Sequence, residues 1–317
     1  MSARRRPTTD RRVLELEAHA KVNLTLEVLG RRDDGYHDIV SIMQTVGLHD
    51  TVTLSPADDI TLVCDDVALA GDENLAVIAA RRLRDHVDAG HGAEIRLEKR
   101  IPVASGLGGG SSDAAAVLTG LNQLWDLDLD LPELEKIAVE IGSDVPFFLS
   151  GGTALVQGKG EHVVPLAHAN IQWMVVVSPD SPEFVVPDKT ARLYDAVARS
   201  DYTRGVLTHK LAGRIRGGGD APAQFYFNVF EPYASTVFAE YAAVRNTFRS
   251  LGAMGILMSG AGPSMFALAP SREVGLAWQL MLERQHGLRA YLTRRWDPPG
   301  ARRRPTNRAH VNRGPAG

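Results

Sequence analysis

Ile101-Pro-Val-Ala-Ser-Gly-Leu-Gly-Gly-Gly-Ser-Ser-Asp113 places four glycines within positions 106–110, directly before an alanine-rich segment, Asp113–Trp125, that reads as a strong helix. With no side chain at Gly106, Gly108, Gly109 or Gly110, main-chain N–H groups lie open to a ligand. A helix start leaves its first N–H groups unpaired and carries the positive end of the helix dipole, so a loop feeding it suits a phosphate. Ser111, Ser112 and Asp113 are residue types that cap helix starts. A linker or a close-packed turn is the alternative; apolar Val103 and Leu107 beside a strong helix argue against a linker. The segment lacks the lysine of a Walker A loop, and Ser111 stands where a dinucleotide fingerprint starting at Gly106 needs its last glycine. Neither H-R-D nor D-F-G occurs, so the protein-kinase set is absent as well.

Around this loop the pattern is mixed. Leu14–Val28 alternates apolar and polar residues and reads as one or two strands, and 30–35 (GRRDDG) reads as a turn. Strands are expected at 51–54, 60–63, 93–97, 154–156, 163–166 and 173–177, and helices at 74–87, 131–141, 190–197, 237–251 and 274–286. Residues 255–269 read as strand, tight glycine turn (Ser259-Gly-Ala-Gly-Pro-Ser264), strand. That turn is either a simple hairpin or a second wall against the same nucleotide. The lack of regular βαβ alternation predicts an α+β fold. A division near 168 gives two domains, 13–168 and 169–295, with basic tails at 1–12 and 296–317.

Of 317 residues, 44% are hydrophobic and 23% charged, the balance of an ordinary globular chain rather than a disordered one. No apolar run reaches the ~18 residues a membrane span needs. The single cysteine, Cys64, excludes a disulfide framework within the chain and points to the cytoplasm. Residues 1–12 hold five Arg and residues 294–317 seven, leaving the body with a net charge of −13. An acidic body repels phosphate backbones, and the tails lack interleaved aromatics, so no nucleic-acid or membrane partner is expected and the tails read as solvated chain.

Three separated segments converge on one superfamily: Ala20-Lys-Val-Asn-Leu24 with Asp34-Gly-Tyr-His37, the loop 102–113, and the turn 259–264. They resemble the three motifs of the GHMP small-molecule kinases. Within that superfamily the first segment, the run Gly106–Ala115 and Gly142-Ser-Asp-Val-Pro-Phe-Phe148 are most similar to the branch that phosphorylates a cytidine-diphospho-methylerythritol. The resemblance covers roughly residues 14–295. It implies a ribosomal-protein-S5-like N-terminal α/β domain and a ferredoxin-like α+β C-terminal domain. It further implies transfer of the ATP γ-phosphoryl group to the 2-hydroxyl of that substrate, in non-mevalonate isoprenoid precursor synthesis, with Mg²⁺ accompanying ATP.

By the same resemblance Asp144 is the general base and Lys21 its charged neighbour. ATP contacts fall on Pro102, Val103, Ala104, Ser105, Gly106, Leu107, Gly108, Gly109, Gly110, Ser111 and Ser112. Asn23, Tyr36 and His37 face the cytosine end. Tyr194, in Lys189-Thr-Ala-Arg-Leu-Tyr194, is the stacking aromatic, although Lys189 departs from the small residue of that pattern. Lys99, just before the loop, either reaches the nucleotide or is an exposed strand-end lysine. Blander readings stand beside the others too: a turn aspartate for Asp144, an exposed strand lysine for Lys21 and a helix-face aromatic for Tyr194. Ser112 or Asp144 is the candidate Mg²⁺ contact, and the assembly is either monomer or homodimer. Another acceptor alcohol, or a nucleotide-binding module without turnover, is the competing function.

Overall fold

The computed structural model describes residues 12–88 and 90–298; most of the two arginine-rich tails lies outside them. In chain order the strands are β1 (Leu14–Arg31), β2 (His37–Ala57), β3 (Ile60–Cys64), β4 (Gly92–Glu98), β5 (Thr153–Gly158), β6 (His162–Pro165), β7 (Trp173–Val177), β8 (Phe227–Asn228), β9 (Leu257–Met258), β10 (Met265–Ala269) and β11 (Ala290–Thr293). The helices are α1 (Leu75–His86), α2 (Gly109–Leu124), α3 (Leu131–Ile141), α4 (Val145–Ser150), α5 (Lys189–Ala196), α6 (Val206–Arg216), α7 (Ala234–Val237), α8 (Tyr241–Ser250) and α9 (Arg272–His286).

Two sheets result. The first runs β3-β4-β2-β1-β8, with β5 pairing the early half of β2 and β6 beyond it. Because β2 is 21 residues long, it serves β4 along 51–57 and β5 along 39–44. The second sheet runs β11-β7-β10-β9, all antiparallel. Counted along the chain as β7-α8-β9-β10-α9-β11, that order is the ferredoxin-like one. Strand β8 lies in the second half of the sequence yet pairs in parallel with Thr25 and Leu26 of β1, so the first sheet is closed by a distant stretch of chain.

Helices α1 to α4 cover one face of the first sheet through Leu54, Leu83, Ile95, Leu118 and Leu121. Val22, Leu24 and Ile42 of the first sheet meet Met174, Val176 and Phe266 of the second together with Leu211 and Ile215 of α6. Each fully buried side chain of this kind contributes about 1.5–3 kcal/mol. Strand β1 explains the site that follows. Ala20, Val22, Leu24 and Leu26 go into the cores, and the polar residues between them, His19, Lys21, Asn23, Thr25 and Glu27, are also at most 5% exposed, the ladder shifting register after His19 and again after Asn23. Polar strand residues normally face water; here His19 lies against Trp296, Lys21 against the glycine loop and Glu27 against Thr208 of α6.

Several sequence expectations need correction. Helix α2 begins at Gly109, so Gly109, Gly110, Ser111, Ser112 and Asp113 sit inside the helix rather than ahead of it. Its cap position is Gly108, with φ 76° and no side-chain hydrogen bond, so none of the serines caps the helix. The helix expected at 237–251 is two, α7 and α8, interrupted at 238–240. Helices α4 and α6, strand β11 and the first half of β2 lie where the sequence pattern predicts no element. Helix α3 falls at its expected bounds, with Asp130 and Glu133 forming a reciprocal capping box. Residues 294–298, grouped with the basic tail by composition, are tied to the body in part: Trp296 N–H donates to Thr45 O, and Arg295 forms a β-bridge with Val46.

Candidate active site

A cleft of about 1040 Å³ opens between the glycine loop, β1 and α5. One wall is the loop. Leu107 O accepts the Lys21 main-chain N–H at 2.9 Å, which fixes the loop to β1. Ser105 O accepts from Ser264 N–H at 3.0 Å, and Ser259 Oγ donates to Gly106 O at 3.0 Å, so the second glycine turn is stitched to the first. The turn therefore packs on the loop rather than standing as an isolated hairpin. Gly106 has φ 84°, and a Cβ there would overlap Ser259 O. A Cβ on Gly108 would come 2.7 Å from the Phe148 ring and 3.2 Å from Lys21 Cγ. Two of the four glycines are thus required by protein contacts as well as by any ligand.

Lys21 is 3% exposed, which removes the exposed-lysine reading. Its Nζ donates to Asn23 Oδ1 at 2.7 Å, stands 3.7 Å from Asp144 Oδ2, and Asn23 Nδ2 in turn donates to Ser41 Oγ at 2.8 Å. Burial pushes the Lys21 pKa down, and the Asp144 charge opposes that fall. Asp144 occupies the cap position of α4 but its side chain takes no capping hydrogen bond. The carboxylate is one-third exposed and turned toward Lys21 rather than spent on the helix. Gly260, whose Cβ would approach Lys21 Nζ to 3.0 Å, leaves the ammonium its room.

At the opposite end His37 and Tyr194 stack with ring centroids 4.8 Å apart and planes 17° from parallel, and Tyr194 meets Phe230 edge-on. The two rings leave no slot for a third between them, so they make a platform. Burial and then the Arg31 charge lower the His37 pKa, which favours the neutral ring with its one N–H and one lone pair. Tyr36 is 57% exposed at the rim, under Lys159 Nζ at 4.9 Å. Asn23, Tyr36, His37 and Tyr194 line the same cleft as Asp144 and the loop positions 102–106 and 108–111. Leu107 and Ser112 are buried beneath it instead.

Three residues carry more than the sequence reveals. Lys99 Nζ bridges Asp50 and Asp113 at 2.5 Å each, while Asp50 Oδ1 accepts from Arg100 and Ile101 N–H. The strand-end lysine is therefore a buried tie between β2, the root of the loop and α2. Burial raises the Asp113 pKa to about 7, with Lys99 opposing and Asp50 adding to the rise. Lys189 donates to Gly262 O at 2.6 Å and Ala261 O at 3.2 Å, both carbonyls of the second glycine turn. Burial and then the Lys21 charge lower its pKa to about 8. Only its departure from the segment's pattern hints at it in the sequence.

Fold and cleft together have the form of a small-molecule kinase of the GHMP class. Residues 74–152 match the family described as GHMP kinases N terminal domain, and 208–283 match GHMP kinases C terminal. The chain is 46% identical over 272 residues to the 4-diphosphocytidyl-2-C-methyl-D-erythritol kinase of Symbiobacterium thermophilum, covering 83% of this chain and 93% of that one. It is 38% identical to the protein of the same name from Gloeobacter violaceus, over 89% and 94% of the two chains. A crystal structure of 4-(cytidine 5'-diphospho)-2C-methyl-D-erythritol kinase superposes with a TM-score of 0.75 at 35% identity, over 90% of this chain and all of that one. Homoserine kinase from Cytophaga hutchinsonii, at 19% identity and a TM-score of 0.70 over 92% and 98% of the chains, shares the fold. The chain belongs to the 4-diphosphocytidyl-2-C-methyl-D-erythritol kinase family.

Proposed function

We propose that the protein transfers the γ-phosphoryl group of ATP to the 2-hydroxyl of 4-diphosphocytidyl-2-C-methyl-D-erythritol, giving the 2-phosphate on the non-mevalonate route to isoprenoid precursors. One observation carries the reading: Lys21 and Asp144 stand in a single cleft between a lysine-free glycine loop and an aromatic platform. Asp144 accepts the hydroxyl proton as the substrate oxygen bonds to phosphorus. The bond from phosphorus to the bridging oxygen breaks, and ADP leaves with the electron pair. Lys21, 3.7 Å from Asp144, neutralises charge spreading over the transferred group. The N–H groups of the loop and the first turn of α2 hold the triphosphate, and Lys189 adds positive charge beside the second glycine turn.

His37 supplies a donor and an acceptor for the cytosine edge, and the Tyr194 platform supports its face; Asn23, expected there from the sequence, instead spends its amide on Lys21 and Ser41. Mg²⁺ fits the Asp144 carboxylate, which is one-third exposed and lines the cleft. Bound there with ATP, Mg²⁺ would offset phosphate charge. Ser112 is buried below the loop surface and is the weaker of the two Mg²⁺ contacts named from sequence. Among the described residues no helix is long and apolar enough to cross a membrane. The cytoplasm is the compartment that suits the unpaired thiol of Cys64. ADP release that requires the CDP-linked alcohol supports the assignment. Equal turnover of methylerythritol lacking the CDP group, or of homoserine or mevalonate, would overturn it.

A further inference from the structure

On the polar row of β1, short of the cleft, lie Glu17 and His19, with His49 of β2 directly opposite His19 in the ladder. Glu17 precedes His19 by two residues and so shares its face. One ligand atom from each of the three falls within 4.8 Å of the others. The His19 side chain is 4% exposed, and Trp296 stacks on it at 3.9 Å.

The hydrogen bonding around the two imidazoles does not close. His19 Nδ1 is 3.2 Å from Val46 O, and His49 Nδ1 is 2.9 Å from Gly47 O. A neutral ring carries one N–H. If each Nδ1 donates it to its carbonyl, both Nε2 lone pairs face Glu17, at 3.0 Å and 3.7 Å from its two oxygens. His19 Nε2 is buried and has no hydrogen-bond partner. A lone pair against a carboxylate oxygen is repulsive, and moving the proton to Nε2 only transfers the conflict to Val46 O. An imidazolium would relieve both contacts, but burial this deep opposes a charged ring. A cation seated among the two Nε2 atoms and the carboxylate relieves all of them.

We propose that Glu17, His19 and His49 form a site for a divalent transition-metal ion of the Zn²⁺ class, with water completing four-fold coordination. Two imidazole nitrogens and one carboxylate oxygen are borderline donors that match Zn²⁺, unlike the all-oxygen sets chosen by Mg²⁺ and Ca²⁺. The Nδ1–H bonds to Val46 and Gly47 carbonyls fix tautomer and ring direction, as outer partners of metal-bound histidines do. His49 and Glu17 are 24% and 59% exposed in their side chains, which leaves the ion a way in. The ladder shifts register between His19 and Lys21, so the ion would tie β1 to β2 immediately before the strand delivers Lys21 to the cleft. This site is independent of the phosphoryl-transfer reading.

The test uses the full-length chain, stripped with chelator and free of nucleotide, titrated with Co²⁺ and then Zn²⁺. Bound metal per chain, visible absorption of tetrahedral Co²⁺ and Trp296 fluorescence are followed, with Trp296→Phe identifying that signal among four tryptophans. The expected result is one Co²⁺ per chain, a visible band that Zn²⁺ displaces, and quenching of Trp296. Glu17→Gln and His49→Gln, both at partly exposed positions, keep the wild-type melting temperature without metal and bind Co²⁺ about 100-fold more weakly. Absence of stoichiometric uptake by the wild type, or uptake unchanged in the two variants, would overturn the proposal.

Discussion

The two ends of the cleft are built on opposite terms. The donor end rests largely on main-chain groups: Ser105 O takes Ser264 N–H, Gly106 O takes the Ser259 hydroxyl, the carbonyls of Ala261 and Gly262 take Lys189, and at Gly106 and Gly108 what the sequence must supply is the absence of side chains. The acceptor end is side chains: Lys21, Asn23, Asp144, His37 and Tyr194, each fixed by a specific partner. The first end should tolerate changes of charge nearby and fail with one added methyl group. The second should tolerate small changes of volume and fail with one altered functional group.

That contrast is most directly broken by Asp144→Asn, nearly the same shape with no base. Turnover should fall about 10³-fold with little change in the CDP-substrate KM, measured by steady-state ADP release; a fall below about ten-fold would mean that orientation alone suffices. Next comes Gly106→Ala, a single methyl group. With its Cβ overlapping Ser259 O at a positive φ, it should cost about 3 kcal/mol in chemical denaturation and raise the ATP KM. Wild-type stability in that variant would mean that the two turns are not tightly joined.

The buried tie behind the loop sharpens the comparison through pH. The folded Asp113 pKa, at about 7, lies above its ordinary 3.8. The stability it contributes is therefore complete below about pH 4 and is lost as pH rises through about 7. Relative to Asp113→Asn, the wild type should lose about 2 kcal/mol of unfolding free energy between about pH 5 and pH 7; parallel pH curves would place the proton elsewhere. The smallest effect belongs to Tyr194→Ala, which should raise the CDP-substrate KM about ten-fold and leave the ATP KM unchanged. A change in both constants would mean that the platform supports the whole cleft.

Legibility in the sequence follows the same divide. The glycine loop, the D-G-Y-H turn and α3 are local, written within a dozen positions; α3 stands at its expected bounds, whereas the loop gives up Gly109–Ser112 to a helix that starts earlier than its capping residue types suggest. Pairs formed across the chain leave no local trace. Lys99 reaches Asp50 over 49 positions, and Lys189 meets Ala261 over 72. The polar row of β1 reads like an ordinary water-facing strand, because alternation reveals which residues share a face but not what covers that face. Helix α4 is hidden by its six-residue length, and β11 by its four.

Strand β8 bears on any attempt to divide the polypeptide. Residues 227–228 shield the flank of β1 at Thr25 and Leu26, only two positions past Asn23. A fragment ending near 168 would retain the glycine loop, Lys21 and Asp144, yet would leave the outer edge of β1 bare at Thr25 and Leu26, a short edge open to pairing with another chain. A cut there would thus strip the catalytic lysine's own strand of its neighbour, although both groups named for the proton and the charge stayed on the first piece.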